Sequence, residues 1–163
     1  MENSHTLIEA IKTAMDAEME AHNYYAQSAQ KTANPKGKDM FNHLAAFELS
    51  HYNNLKSLFD SLNEGTGWIQ YDGTQFSDSS KSMEEKNPSA KEELKDDELS
   101  ILSKAIADEK KASEYYNKLA DETNDPSGKA MFKKLAEEEN LHTRILNDQW
   151  YSLSNKGIWI WGD

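Results

Sequence analysis

The chain has 163 residues, a formal net charge of −11 and no cysteine. That length fits one domain able to bury a core without covalent staples, and the missing thiols exclude disulfides, thiolate zinc sites, iron–sulfur clusters and thiol catalysis. The acidity disfavours nucleic acid and anionic lipid, which repel a protein of their own charge sign.

Met1 opens a polar segment with no charged-then-apolar leader, so the expected location is the cytoplasm. No apolar run approaches the about 18 residues of a membrane span. Residues 5–31 read as a first helix, because Leu7, Ile8, Ile11, Met15, Glu18, Ala21, Tyr25 and Ala29 recur at helical spacing. Pro35 ends it, since the residue before a proline avoids the α region. A second helix over 36–63 carries Met40, Phe41, Leu44, Ala45, Glu48, His51, Leu55, Leu58 and Leu62, with Gly65 as its expected C-cap. Residues 64–95 are rich in Gly, Ser, Asp, Lys and Glu, contain Pro88, and read as a crossover. A third helix over 96–123 carries Leu99, Leu102, Ala105, Ile106, Glu109, Ala112, Tyr116 and Leu119. The segment from Asn124 to Gly128 breaks it. The fourth helix, 128–150, carries Met131, Phe132, Leu135, Glu139, His142, Ile145 and Leu146 and fades near Trp150.

Short joints within each helix pair predict antiparallel neighbours. The crossover is long enough to run the length of a helix, roughly 40 Å for 27 residues. The expected architecture is all-α: one domain over 1–163, a four-helix bundle of two hairpins joined by one long connection.

The chain also repeats itself. Residues 14–55 align without gaps on 105–146, an offset of 91, with 17 of 42 positions identical. Chance would give about 3. The matches include Tyr24-Tyr25 with Tyr115-Tyr116, Pro35 with Pro126, Gly37 with Gly128 and Met40-Phe41 with Met131-Phe132. A fainter echo pairs Trp68 with Trp159. Duplication of a helical hairpin accounts for this pattern.

Six residues intrude on the apolar stripes at matched positions: Glu18 and Glu109, Glu48 and Glu139, His51 and His142. Burying four unpaired carboxylates is prohibitive, and no lysine or arginine occupies the inner stripes. Two divalent cations would balance four glutamates. In Glu48-x-x-His51 and Glu139-x-x-His142 the two side chains lie one above the other on a helix face. Each motif stands 30 residues after a core-facing glutamate. One glutamate from each of two helices, with Glu-x-x-His from each of the other two, is a known way to hold a metal pair in a bundle. Carboxylate and imidazole donors suit iron or manganese, and zinc less naturally.

The stretches 18–25, 40–51, 109–116 and 131–142 together resemble the rubrerythrin-like branch of the ferritin-like superfamily, a resemblance covering most of 5–150. It implies a non-haem di-iron centre on the six residues, with manganese as the alternative metal. It also implies reduction of peroxide or reaction with dioxygen, and a homodimer. Iron handling without turnover and a dimanganese catalase-like activity are the rival readings, with a metal-free interaction module further off. With no cysteine, these 163 residues hold no rubredoxin-type iron module, so electrons are expected from an external carrier such as a rubredoxin-like protein. Rubrerythrin proper has a further carboxylate on its third helix; here Ala112 stands at that position.

Tyr25 and Tyr116 each follow a proposed ligand by seven residues, two turns along the same face, and are the candidate catalytic phenols. Tyr24 and Tyr115 are expected to point elsewhere. His22 has Ser113 as its repeat mate, which argues against a symmetric role. His43 is expected at the surface, and Glu137 and Glu138 in solvent or at most behind the ligands. The aromatic segments near Trp68 and Trp159 are expected to cover an end or side of the bundle, by short strand pairing, or to form a dimer interface.

Overall fold

The computed structural model describes residues 4–74 and 96–162. Four helices follow in order: α1 (Ser4–Lys31), α2 (Pro35–Asn63), α3 (Asp96–Glu122) and α4 (Pro126–Lys156). They pack as two hairpins, α1 on α2 and α3 on α4. The crossover beyond residue 74, with Pro88, and the side chain of His5 lie outside the described residues. Among the described residues no helix is long and apolar enough to cross a membrane.

The two hairpin turns are built alike. Asn34 caps α2, its side chain accepting from the amides of Lys36 and Gly37, and Asp125 caps α4, accepting from Gly128. Each cap precedes a proline at the first helical position, where the missing N–H would be unbonded anyway. The helices therefore start at Pro35 and Pro126, slightly earlier than periodicity alone suggests. α4 also outruns its expected fade at Trp150. Ser152 and Leu153 are still buried, and the helix stops only where Gly157 takes a left-handed conformation (φ 69°).

Two apolar clusters fill the bundle. One gathers Ile11, Leu55, Leu58, Tyr116, Met131 and Phe132; the other gathers Tyr25, Phe41, Leu44, Leu102, Leu146 and Trp159. The start of α1 thus meets the ends of α2 and α3 and the start of α4. The repeat offset carries one cluster onto the other, so the halves are related by an approximate two-fold axis.

The aromatic segments close the bundle reciprocally. Trp159, following the second hairpin, lies over Gly37 in the turn of the first. Trp68, following the first hairpin, lies over Gly128 in the turn of the second. A Cβ on Gly37 would stand 2.8 Å from the Trp159 ring, and one on Gly128 would stand 2.6 Å from Trp68. Each segment is pinned by a matched serine: Ser61 donates to the Gly67 carbonyl and Ser152 to that of Ile158. The strand pairing expected there is not found among the described residues; packing of an indole on a glycine closes the ends instead. His43, expected at the surface, is half-buried because the Trp161 ring covers it, 5.5 Å between centroids.

Candidate metal centre

Between the two apolar clusters the six predicted side chains meet. Glu18, Glu48, His51 and Glu139 form one group and Glu48, Glu109, Glu139 and His142 the other, with one donor atom per residue within 4.8 Å of the rest. Every one of the six is at most 3 % exposed. Helical spacing does this locally: Glu48 and His51 sit one above the other on α2, as do Glu139 and His142 on α4. Glu48 and Glu139 belong to both groups. They lie at the centre, with Glu18 and His51 to one side and Glu109 and His142 to the other.

Both imidazoles aim Nδ1 inward. His51 Nδ1 is 2.7 Å from Glu139 Oε1 and 3.4 Å from both Glu18 and Glu48. His142 Nδ1 is 2.9 Å from Glu48 and 3.5 Å from Glu109. Glu18 Oε2, Glu48 Oε2, Glu109 Oε2, Glu139 Oε1 and His51 Nδ1 are buried without a hydrogen-bond partner. His51 Nδ1 and Glu139 Oε1 are close yet make no directed bond, so they converge on shared space rather than on each other. Buried polar atoms left unsatisfied are costly, and a pair of cations with oxygen and nitrogen preference would satisfy this set. The residues fit a two-metal group.

Electrostatics point the same way. Burial pushes the carboxyls of Glu48 and Glu139 well above the ordinary range, and the charges of Glu109 and Glu18 add to the rise. Burial lowers the histidines, but Glu18 and Glu139 raise His51 well above its ordinary value, and Glu109 raises His142. Burial also lifts Glu18 and Glu109. The His51 charge nevertheless holds Glu18 below its usual value, and the hydrogen bond with Glu139 and the His142 charge bring Glu109 to about 2. Without metal these shifts favour the protonated forms of Glu48, Glu139, His51 and His142 and the charged forms of Glu18 and Glu109. Loading two divalent cations is expected to expel up to four protons at neutral pH. Protons compete with metal for these ligands, and more so as pH falls, so apparent metal affinity should weaken on acidification. An indicator dye in weak buffer reads the protons directly; binding without proton release would refute this picture.

Tyr25 and Tyr116 reach the centre, but not on their own helices. Tyr25 donates to Glu109 and Tyr116 to Glu18, each at 2.6 Å. Burial and the neighbouring carboxylates push both phenols well above their ordinary range, so they stay protonated donors. Tyr24 and Tyr115 do point elsewhere. Tyr24 donates to the Ile101 carbonyl and Tyr115 to that of Ala10, tying α1 to α3 at matched positions.

Between those ties α1 and α3 stand apart. A cavity of about 400 Å³ opens there, walled by Ala17, Ala21 and Ala112 and floored by Glu18, Glu48, Glu109 and Glu139. Ala112, where a further carboxylate would stand in rubrerythrin proper, leaves the cavity open.

One expectation needs correction. His22 does have a symmetric role: His22 Nδ1 bonds the Ala45 carbonyl and Ser113 donates to Ala136, so unlike side chains brace the same carbonyl in each half. Of the two places expected for Glu138, solvent or behind the ligands, it takes the second, because the segment 71–74 folds over it. It is 7 % exposed, accepts from Tyr71 and from the amide of Thr74, and stands 3.5 Å from His51 Nε2. Its repeat mate is Phe47, so comparing the halves hides it; a buried acid beside a ligand was the only available signal. Glu137 is exposed, as expected.

The family model described as Rubrerythrin matches residues 9–149. No curated protein matches the sequence. Among solved structures, a hypothetical protein from Pyrococcus furiosus is similar over 94 % of this chain and 93 % of its own, with 25 % identity and a TM-score of 0.73.

Proposed function

Because this chain belongs to the rubrerythrin family, we propose that it is a di-iron carboxylate oxidoreductase that reduces peroxide. The observation that carries the reading is the floor of the α1–α3 cavity. Four buried glutamates, shared between two Glu/His groups, line a cavity large enough to admit a peroxide molecule.

Glu48 and Glu139, which belong to both groups, would help hold both metals, with Glu18 and His51 completing one site and Glu109 and His142 the other. Bound iron would supply two electrons, one from each metal. The conversion of one peroxide to two waters takes those two electrons and two protons. Alanines at 14, 17, 21, 105 and 112 make part of the cavity wall apolar, with Glu20, Lys104, Asp108 and Lys111 also lining it. Tyr25 and Tyr116, held as donors by their bonds to Glu109 and Glu18, orient those carboxylates and place a hydroxyl at the cavity floor. Re-reduction falls to a carrier outside these 163 residues, such as a rubredoxin-like protein, since they hold no cysteine for an electron-transfer iron. A homodimer is part of the same proposal.

Anaerobic ferrous protein mixed with hydrogen peroxide is expected to lose its ferrous iron within seconds, followed by absorbance. Irons that stay ferrous would sink the peroxidase reading. The donor set also suits manganese, and elemental analysis of protein purified without oxygen decides between the metals.

A further inference from the structure

The two halves of the centre match in their ligands but not behind them. Behind His51 stands a carboxylate. Glu138 Oε1 is 3.5 Å from His51 Nε2, an electrostatic contact longer than a hydrogen bond. Glu138 is itself clamped, its Oε1 accepting from the Tyr71 hydroxyl at 2.5 Å and its Oε2 from the Thr74 amide at 2.9 Å. Gly73 lets the segment lie flat here. Its φ is 97°, and a Cβ on it would stand 2.9 Å from the Lys134 side chain.

Behind His142 the corresponding position is Phe47. Its ring meets the imidazole edge-on, 4.3 Å between centroids. Neither His51 Nε2 nor His142 Nε2 makes a hydrogen bond, but only His51 Nε2 has a carboxylate within 4 Å among the described residues. A phenyl ring packs well there but offers no acceptor to the imidazole N–H.

A carboxylate behind a ligating histidine fixes the ring and raises its basicity, and losing it typically costs about 10–100-fold in metal affinity. We propose that Glu138 is a positioning residue that makes the two metal sites inequivalent. The site of Glu18, Glu48, His51 and Glu139 then fills before that of Glu48, Glu109, Glu139 and His142. This rests on the two-metal reading above. It adds an order of loading, and it gives the 71–74 segment a part in holding one metal and not the other.

Cobalt(II), followed by calorimetry and by its visible absorption, tests this on the metal-free full-length chain. The wild-type protein is expected to take two equivalents in two steps separated by about tenfold or more. Glu138→Leu should weaken the first step by about 10–100-fold and leave the second unchanged, merging the two. Glu138→Gln, which keeps an acceptor, should restore part of the separation. Tyr71→Phe, which removes one clamp without touching the core, should weaken the first step alone and by less; it decides the matter if Glu138→Leu does not fold. Glu109→Gln should abolish the weak step and spare the tight one, which assigns the order. Two equivalents bound at one affinity, or both steps weakened alike in the Glu138 or Tyr71 variants, would overturn the loading order while leaving the two-metal centre standing. A wild-type protein that takes no cobalt would sink the metal centre itself.

Discussion

Replacing Glu48 and Glu139 together by alanine is expected to reduce metal binding from two equivalents per chain to none. These two carboxylates are the only members of both Glu/His groups. Losing both leaves one glutamate and one histidine on each side, too few to hold an ion inside a bundle. The loss should also appear as stability. A ligand that binds only the folded state at about 100 times its dissociation constant adds about 2.7 kcal/mol per site. In a chain of this size each kcal/mol moves the melting temperature by about 2–4 °C. With two sites filled, the wild-type protein should therefore melt at least about 10 °C higher with saturating metal than without it, and the double variant should show no shift. Glu137→Ala, an exposed neighbour on the same helix, is the control and should bind as the wild type does. A double variant that still takes two ions would remove Glu48 and Glu139 from the ligand set.

The second large effect lies far from the metals. Trp159→Ala is expected to destabilise the metal-free protein by about 3–5 kcal/mol, the usual range for emptying a buried large aromatic site. That corresponds to a melting temperature lower by about 10 °C. Trp159 is 2 % exposed, meets the Phe41 ring edge-on at 5.9 Å and fills the space that Gly37 leaves open. Its indole N–H has no hydrogen-bond partner, so the contribution is packing, and Trp159→Phe should recover much of it. Trp68→Ala should cost less, because Trp68 is only partly buried. Thermal unfolding followed by circular dichroism measures all three. Equal losses at Trp68 and Trp159 would contradict this account.

The six inner residues were legible because a buried helix stripe is apolar, and each carboxylate or imidazole on it breaks the pattern at a countable position. The repeat then separated Glu139 from Glu137 and Glu138. The same filter concealed Glu138, whose role depends on a partner, Tyr71, 67 residues away in sequence and on no matching residue in the other half. It misled at His22 as well, since imidazole and hydroxyl are chemically different but can bond the same carbonyl. The α1–α3 cavity had no signal in either helix. Alanines at 17, 21 and 112 are ordinary helix residues, and only the spacing of the two helices turns them into walls.

The crossed tryptophans also bear on how the halves came to differ. Each hairpin lends its indole to the other's turn, so neither is complete alone, and two identical hairpins could exchange the same contacts as separate molecules. In such a pair every residue would appear twice, and position 47 could not be phenylalanine in one copy and its counterpart glutamate in the other. Fusion into one chain lifts that constraint. It also replaces a concentration-dependent encounter by an intramolecular one, so the assembly no longer weakens on dilution. The fold keeps the symmetry that holds the ligands and is free to break it one layer behind them.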